Sequence, residues 1–163
     1  MPDGLYERDV LAWSQHQADL LRRLGRGERV NEVDWPNVAE EIEDVGLSAL
    51  HSVESFLNLI MVHLLKLYMW PDSKACIHWR GEVVAFQNNA NRRFAPSMRQ
   101  RIDVAALYAE AVKQVRAMDP TGQIPEENPF DLDQLMGGTW DDLVNRLPNR
   151  SIATHERWPP PST

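Results

Sequence analysis

The sequence predicts an all-α protein: an antiparallel bundle of about four main helices with a long second helix and a short helical C-terminal segment. Three observations predict this class. Apolar residues recur at spacings of three and four along four long segments, which is the period of an α-helix. Glycine and proline separate these segments, and no useful stretch alternates apolar and polar residues as a strand would. Short connections between long amphipathic helices favour an antiparallel bundle.

The first helix is predicted over 5–24, and the Gly-Arg-Gly segment at 25–27 ends it. Arg22 and Arg23 suit its last turn, because cations are favoured at the negative end of the helix dipole. Its stripe at helical spacing comprises Tyr6, Val10, Trp13, Gln17, Leu20, Leu21 and Leu24.

The second helix begins in the segment DWPNVAEEIEDVG, residues 34–46, and is predicted to continue to about residue 69. Asp34 is the expected N-cap, Pro36 suits the first turn and Pro71 ends the helix. Gly46 lies on the apolar stripe, so we expect a close backbone approach, a kink or a break there. The stripe comprises Val38, Ile42, Val45, Ala49, Val53, Phe56, Leu57, Ile60, Leu64 and Leu67.

Two further long helices and a short helical segment complete the predicted fold. The third helix is predicted over 74–94, with a stripe of Cys76, Trp79, Val83, Phe86, Ala90 and Phe94. The fourth is predicted to start at 97–100, where Ser97 and Gln100 have the spacing of a capping box. Its stripe comprises Val104, Leu107 or Tyr108, Ala111, Val115 and Met118. After a proline-marked loop, short helices are predicted over 131–136 and 140–147, with Thr139 capping the second.

Length and composition predict one domain and exclude several protein classes. The chain has 163 residues, which suits a single domain over 1–150 followed by a disordered tail over 151–163. No uninterrupted apolar run reaches the roughly 18 residues that span a bilayer. The N-terminus does not resemble a secretory signal. Cys76 is the only cysteine, which excludes an internal disulfide and a four-cysteine zinc site. We therefore expect a cytoplasmic protein with no membrane partner.

Charge is unevenly distributed along the chain. The net charge is −7, with −7 over residues 1–72, +5 over 73–118 and −5 over 119–163. A basic middle segment between acidic flanks can indicate an anionic partner. It can also pair with the acidic helices, within a chain or across a dimer, and this alternative is favoured because the overall charge repels nucleic acid.

The acidic cluster at 40–44 raises the question of a metal or catalytic site. On a helical wheel, Glu41 and Glu43 fall about 100° on opposite sides of Ile42, so the apolar stripe separates them. Carboxylates are also favoured in the first turns of any helix. We interpret the cluster as a solvated helix start, with a salt bridge from Glu41 or Glu43 to an arginine as the next alternative.

Two other polar residues lie near predicted core faces. His63 is 22 residues after Glu41, roughly 33 Å along a continuous helix, so one metal cannot bind both. We expect His63 to be a satisfied core or interface histidine. Arg80 is expected to pair with an acidic group at the core edge. Glu41, Glu43, His63 and Arg80 are thus the candidates for any site assembled between helices.

The sequence contains no recognised catalytic or cofactor-binding motif. Neither Gly-x-Ser-x-Gly, His-Glu-x-x-His, a phosphate loop nor a dinucleotide fingerprint occurs. We therefore predict no catalytic residue, no cofactor and no metal ligand. Arginines at 80, 92, 93, 99 and 101 form a possible nucleic-acid surface, but the nearby aromatic residues fall on the core stripe and are poor stacking candidates.

Several segments together resemble a known family. WPNVAEEIEDVG at 35–46, HLLKLYMWP at 63–71, Trp79-Arg80 and NPFDLDQL at 128–135 are similar to the bacterial domain-of-unknown-function family 29. The chain departs from that pattern at Leu67 and Asn91. The resemblance covers about residues 5–150 and implies an all-α domain. It implies no activity, cofactor or catalytic residue.

We predict a non-enzymatic module that binds a protein partner or itself. The side of the second helix carrying Leu47, Leu50, Leu59 and Leu65 is a candidate partner surface, because it is apolar outside the main stripe. The alternatives are an enzyme or metal-binding protein with a site between helices, and a nucleic-acid-binding protein that uses the basic region over 73–118.

Overall fold

The computed structural model describes residues 4–148, and this part of the chain is helical without strands. The all-α class is therefore confirmed. The predicted tail over 151–163 lies outside the described residues. The α-helices are α1 Leu5–Arg8, α2 Val10–Gly25, α3 Trp35–Met69, α4 Cys76–Arg93, α5 Val104–Met118, α6 Leu132–Gly137 and α7 Trp140–Val144.

The chain divides into two compact units, residues 1–49 and residues 50–163. The boundary falls inside α3, so that helix contributes its first half to one unit and its second half to the other. The single domain over 1–150 stays a prediction.

In the first unit, the helix predicted over 5–24 is two helices that meet at Asp9. The Asp9 backbone N–H donates to Leu5 O, while its carboxylate accepts a hydrogen bond from the Ala12 N–H at 3.0 Å. Asp9 therefore ends α1 and caps the start of α2. Its side chain satisfies a backbone donor of α2, which stabilises two helices at the expense of a continuous one. The predicted stripe is buried at Trp13, Gln17 and Leu20 but exposed at Val10.

Helix α3 begins after Asp34 and runs without interruption through Gly46 to Met69. A methyl group built on Gly46 would have no neighbour within 4 Å among the described residues. The predicted break or close backbone approach at this glycine is therefore wrong. A single glycine costs a long helix only about 1 kcal/mol, which neighbouring turns readily offset.

Burial along α3 differs from the predicted stripe in both halves. In the first half, Ile42 and Val45 are 67% and 73% exposed, although both were predicted to be core residues. In the second half, Leu50 and Leu65, predicted as a partner surface, are buried at 7% and 0% exposure. The physical reason is that a helix apolar around its whole circumference is buried on all sides, so no single stripe describes it.

The second unit is built on one apolar core that all its helices share. The fully buried part of α3 packs with Cys76 and Val83 of α4. The predicted stripe of α4 is confirmed as buried at these two residues and at Ala90. Tyr108 of α5 is also buried there, and its hydroxyl donates to Pro125 O at 2.7 Å. The remaining core is contributed by Ile102, Ala111, Val112, Val115, Ile124, Phe130, Leu132, Leu135, Leu143 and Leu147.

Two helix starts in this unit test the capping predictions. Helix α5 begins at Val104, because Asp103 accepts the Ala106 N–H at 3.0 Å, so the predicted start at 97–100 is wrong. The segment there forms a single 3₁₀ turn, Pro96–Met98. Thr139 caps α7 as predicted, with its hydroxyl accepting the Asp142 N–H.

Helix α3 is long and apolar enough to cross a membrane by length and composition alone. An 18-residue window reaches a mean hydropathy of 1.4, and a third of that window is buried within the protein. Isolated polar and charged residues such as His63 and Lys66 interrupt α3, so it contains no uninterrupted apolar run of that length. Core helices can have the same length and composition, so the absence of a membrane partner stays a prediction.

Candidate functional site

Polar residues interrupt the apolar second half of α3, and each contacts a different neighbour in the second unit. The Asn58 side-chain amide donates to Leu107 O on α5 at 3.2 Å. His63 contacts Glu82 of α4, and the Lys66 ammonium lies 4.5 Å from the centre of the Trp79 ring. These interruptions therefore connect α3 to α4 and α5, because buried polar groups are stable only when partnered.

His63 is the most buried of these polar groups, and both of its ring nitrogens contact an oxygen. Nδ1 lies 2.8 Å from Leu59 O one turn earlier, and Nε2 lies 2.5 Å from a Glu82 carboxylate oxygen. The other Glu82 oxygen lies 3.2 Å from His78, which is 72% exposed. The ring edge of His63 also packs against Phe86, with centroids 5.3 Å apart.

This geometry determines where protons can lie. The Leu59 carbonyl can only accept, so Nδ1 of His63 carries a hydrogen. Nε2 and Glu82 must then share one further proton, held either by the ring or by the carboxyl group. His63 is 7% exposed as a residue, so this pair is a buried link between α3 and α4. The prediction of a satisfied interface histidine is confirmed.

Arg80 was predicted to pair with a carboxylate, but it makes no such pair among residues 4–148. Its guanidinium carbon lies 4.2 Å from the centre of the Trp140 ring, a cation–π geometry. Its Nε is buried and has no hydrogen-bond partner within residues 4–148. A planar guanidinium stacks well on an indole, so this contact fixes α7 against α4 without an ion pair.

The two candidate glutamates lie in the first unit and have different surroundings. Glu41 accepts a hydrogen bond from the Tyr6 hydroxyl at 2.8 Å, so its partner is a phenol and not the arginine that was considered as the alternative to a solvated helix start. Glu43 is exposed and has no hydrogen bond or ion pair recorded in the described part of the chain. No group of three or more His, Cys, Asp or Glu side chains that could hold a metal occurs among residues 4–148.

The contact with Glu41 changes the acidity of Tyr6. The hydrogen bond to the Glu41 carboxylate, with smaller contributions from burial and from nearby carboxylates, raises the pKa of Tyr6 to about 12. A raised folded-state pKa means that the stabilisation is complete below the unfolded pKa of about 10 and is lost as the pH rises toward 12.

Replacing Glu41 by glutamine is expected to return the Tyr6 titration toward pH 10, because the charged acceptor is removed. Ultraviolet absorbance of the phenolate measures this directly, since the chain has only three tyrosines. Glu43→Gln removes the same charge without touching Tyr6 and should leave the titration unchanged. Identical curves for Glu41→Gln and the unaltered protein would contradict the assignment.

Sequence reasoning missed a cluster around Asp34 in the first unit. The Asp34 carboxylate accepts hydrogen bonds from the Asn37 side chain at 2.8 Å and from Trp13 Nε1 at 3.2 Å. The bonds from Asn37, and then that from Trp13, outweigh partial burial and lower the pKa of Asp34 below its usual value. The Asp34 N–H donates to Gln17 Oε1 at 2.9 Å. The sequence does not predict these contacts, because Asp34 lies 21 residues after Trp13 and 17 residues after Gln17.

A cleft of about 540 Å³ lies beside this cluster, within the first unit. Its volume is in the range of small-molecule sites. Tyr6 and Trp13 form an aromatic wall, with ring centroids 4.8 Å apart in an edge-to-face arrangement. Carboxylates of Glu7, Glu32 and Asp34 also line it.

Comparison with known proteins identifies the family. The model of the family described as "Domain of unknown function DUF29" matches residues 5–141. The chain belongs to the DUF29 family. A crystal structure of an α-helical protein of unknown function from Rhodospirillum rubrum is 31% identical, with a TM-score of 0.66, covering 87% of this chain and 96% of that one. No curated protein matches.

Three of the four segments that resemble DUF29 lie in the second unit and make packing contacts there. Trp79 packs on Trp70, with centroids 6.3 Å apart, and lies under Lys66. In the segment NPFDLDQL, Asp131 and Gln134 form a reciprocal capping box at the start of α6. These contacts are structural. The predicted absence of catalytic and metal-binding residues stays a prediction.

Proposed function

We propose that this DUF29 protein is a non-enzymatic module that associates with a second copy of itself through the first half of α3. One observation carries the proposal: Ile42 and Val45 are apolar and more than two-thirds exposed on one helix face. Trp35, seven residues before Ile42, is 59% exposed on the same side. Exposed apolar rows of this kind are typical of interaction surfaces.

Charge supports a second copy as the occupant. Exposed carboxylates of Glu40, Glu43 and Asp44 accompany Ile42 and Val45 on the first half of α3. An apolar surface with acidic flanks is complementary to one with basic flanks.

Helix α4 carries a surface of that complementary kind. Ile77 and Val84, seven residues apart, are 79% and 48% exposed. Lys74 is exposed just before α4, and Arg92 is exposed in its last turn. Two copies could therefore pair the acidic apolar face of one with the basic apolar face of the other.

Local carboxylates neutralise part of the basic region over 73–118. Arg99 makes two hydrogen bonds to Asp133, at 2.8 and 3.1 Å. Arg116 pairs with Glu126 at 2.6 Å. These pairs support a protein partner over nucleic acid, because fewer free cations remain to replace counterions on a phosphate backbone. The proposal keeps the cytoplasmic location that the sequence analysis predicts.

Sedimentation equilibrium at low and high salt tests the proposal. We expect concentration-dependent self-association that weakens with salt, since exposed charge pairs are screened. Ile42→Glu with Val45→Glu should abolish association, because charge enters the apolar contact. Ile77→Glu with Val84→Glu should also abolish association, because it places charge in the complementary apolar surface of α4.

Leu11→Glu is the matched control, because Leu11 is an equally exposed apolar residue of the first unit, at 65%. This variant should associate normally. A strictly monomeric protein at every concentration, or association that survives both double substitutions, would overturn the proposal.

A further inference from the structure

We propose that the cleft of the first unit binds a small organic ammonium compound that also carries a hydroxyl group. Tyr6 and Trp13 supply aromatic surface, and Glu7, Glu32 and Asp34 supply negative charge. Aromatic rings and carboxylates together favour a cation, whereas an anionic ligand would be repelled. Among the described residues, no lysine or arginine lines the cleft.

A buried amide supplies the second, independent observation. Gln17 is only 5% exposed and lines the cleft. Its Oε1 accepts the Asp34 N–H, which fixes the orientation of the amide, since a backbone N–H can only donate. The Nε2 group has no hydrogen-bond partner within residues 4–148. Because Gln17 lines the cleft, this unpaired amide donor favours a ligand that brings an acceptor oxygen.

The carboxylates available to the ligand are of two kinds. Asp34 is committed to Trp13 and Asn37 and is held in its charged form by those donors. Glu7 and Glu32 are exposed and have no recorded hydrogen bond or ion pair in the part of the chain that the structure describes. Asp34 therefore shapes the cleft, while Glu7 and Glu32 are free to pair with the ammonium group.

Choline is the probe, titrated by calorimetry and by the indole N–H resonance of Trp13. Two ligand controls separate the interactions. The neutral isostere 3,3-dimethylbutan-1-ol lacks the charge and should not bind measurably. Tetramethylammonium lacks the hydroxyl group and should bind several-fold more weakly than choline, because Gln17 then stays unpartnered.

Glu7→Gln with Glu32→Gln should weaken choline binding about tenfold, since two partly exposed ion pairs are lost. Glu40→Gln with Glu43→Gln removes the same amount of charge outside the cleft and should change the choline affinity little. Absence of choline binding, equal binding of the neutral isostere, or equal effects of the two double substitutions would overturn the proposal. The result is independent of the proposed association, which Ile42→Glu with Val45→Glu tests separately.

Discussion

Leu65→Glu is expected to unfold the second unit of this DUF29 protein. Leu65 has 0% exposure in the middle of the shared core. A carboxylate there has no partner that could compensate for its lost hydration, and the effective cost of such burial is several kcal/mol. That cost is comparable with the total stability of a typical domain, about 5–15 kcal/mol. Urea unfolding followed by circular dichroism measures the loss.

Ile42→Glu is the matched control for this prediction. It makes the same apolar-to-glutamate change on the same helix at a residue that is 67% exposed. We expect its free energy of unfolding to stay within about 0.5 kcal/mol of the unaltered protein. A stable, folded Leu65→Glu protein with only its oligomeric state changed would contradict the burial of Leu65 and restore the predicted partner surface.

Gly138→Ala is expected to destabilise the protein by about 1–3 kcal/mol, as overpacking does. A methyl group at Gly138 would lie 2.7 Å from Gln134 O and 3.2 Å from the Leu143 side chain. Removing this steric clash would require a shift of the Gly138 backbone. That backbone is held by two hydrogen bonds, because its N–H donates to Gln134 O and its carbonyl accepts from Gln87 Nε2 at 2.8 Å. The backbone angle φ of −73° is ordinary, so the expected loss comes from crowding alone.

Gly46→Ala is expected to have the opposite sign. The added methyl group meets nothing within 4 Å among the described residues, and alanine favours a helix interior over glycine by about 0.5–1 kcal/mol. Thermal unfolding of the two variants side by side measures both effects. A destabilised Gly46→Ala protein would show that the helix surface at this position is occupied.

The candidate site was only partly predictable from the sequence. The position of His63 near an apolar stripe predicts a histidine at a helix interface. The structure adds the identity of its partner, Glu82 of α4. The sequence predicts a carboxylate partner for Arg80, because an arginine near a core face commonly pairs with an acidic residue. Its contact with the Trp140 ring was not predicted, because Trp140 lies 60 residues further along the chain. Tyr6 was counted as a core residue, and its hydrogen bond to Glu41 joins residues 35 positions apart.

The helical class, the family, the ends of α3 and the cap at Thr139 are predictable from the amino-acid sequence. They depend on the spacing of apolar residues and on local backbone chemistry, which act over a few positions. The three-dimensional packing was needed to find that Leu50 and Leu65 are core, that Ile42 and Val45 are exposed and that Gln17 lines a cleft. Burial depends on which elements pack around a helix, and a single helical stripe carries no information about neighbours that are distant in the chain.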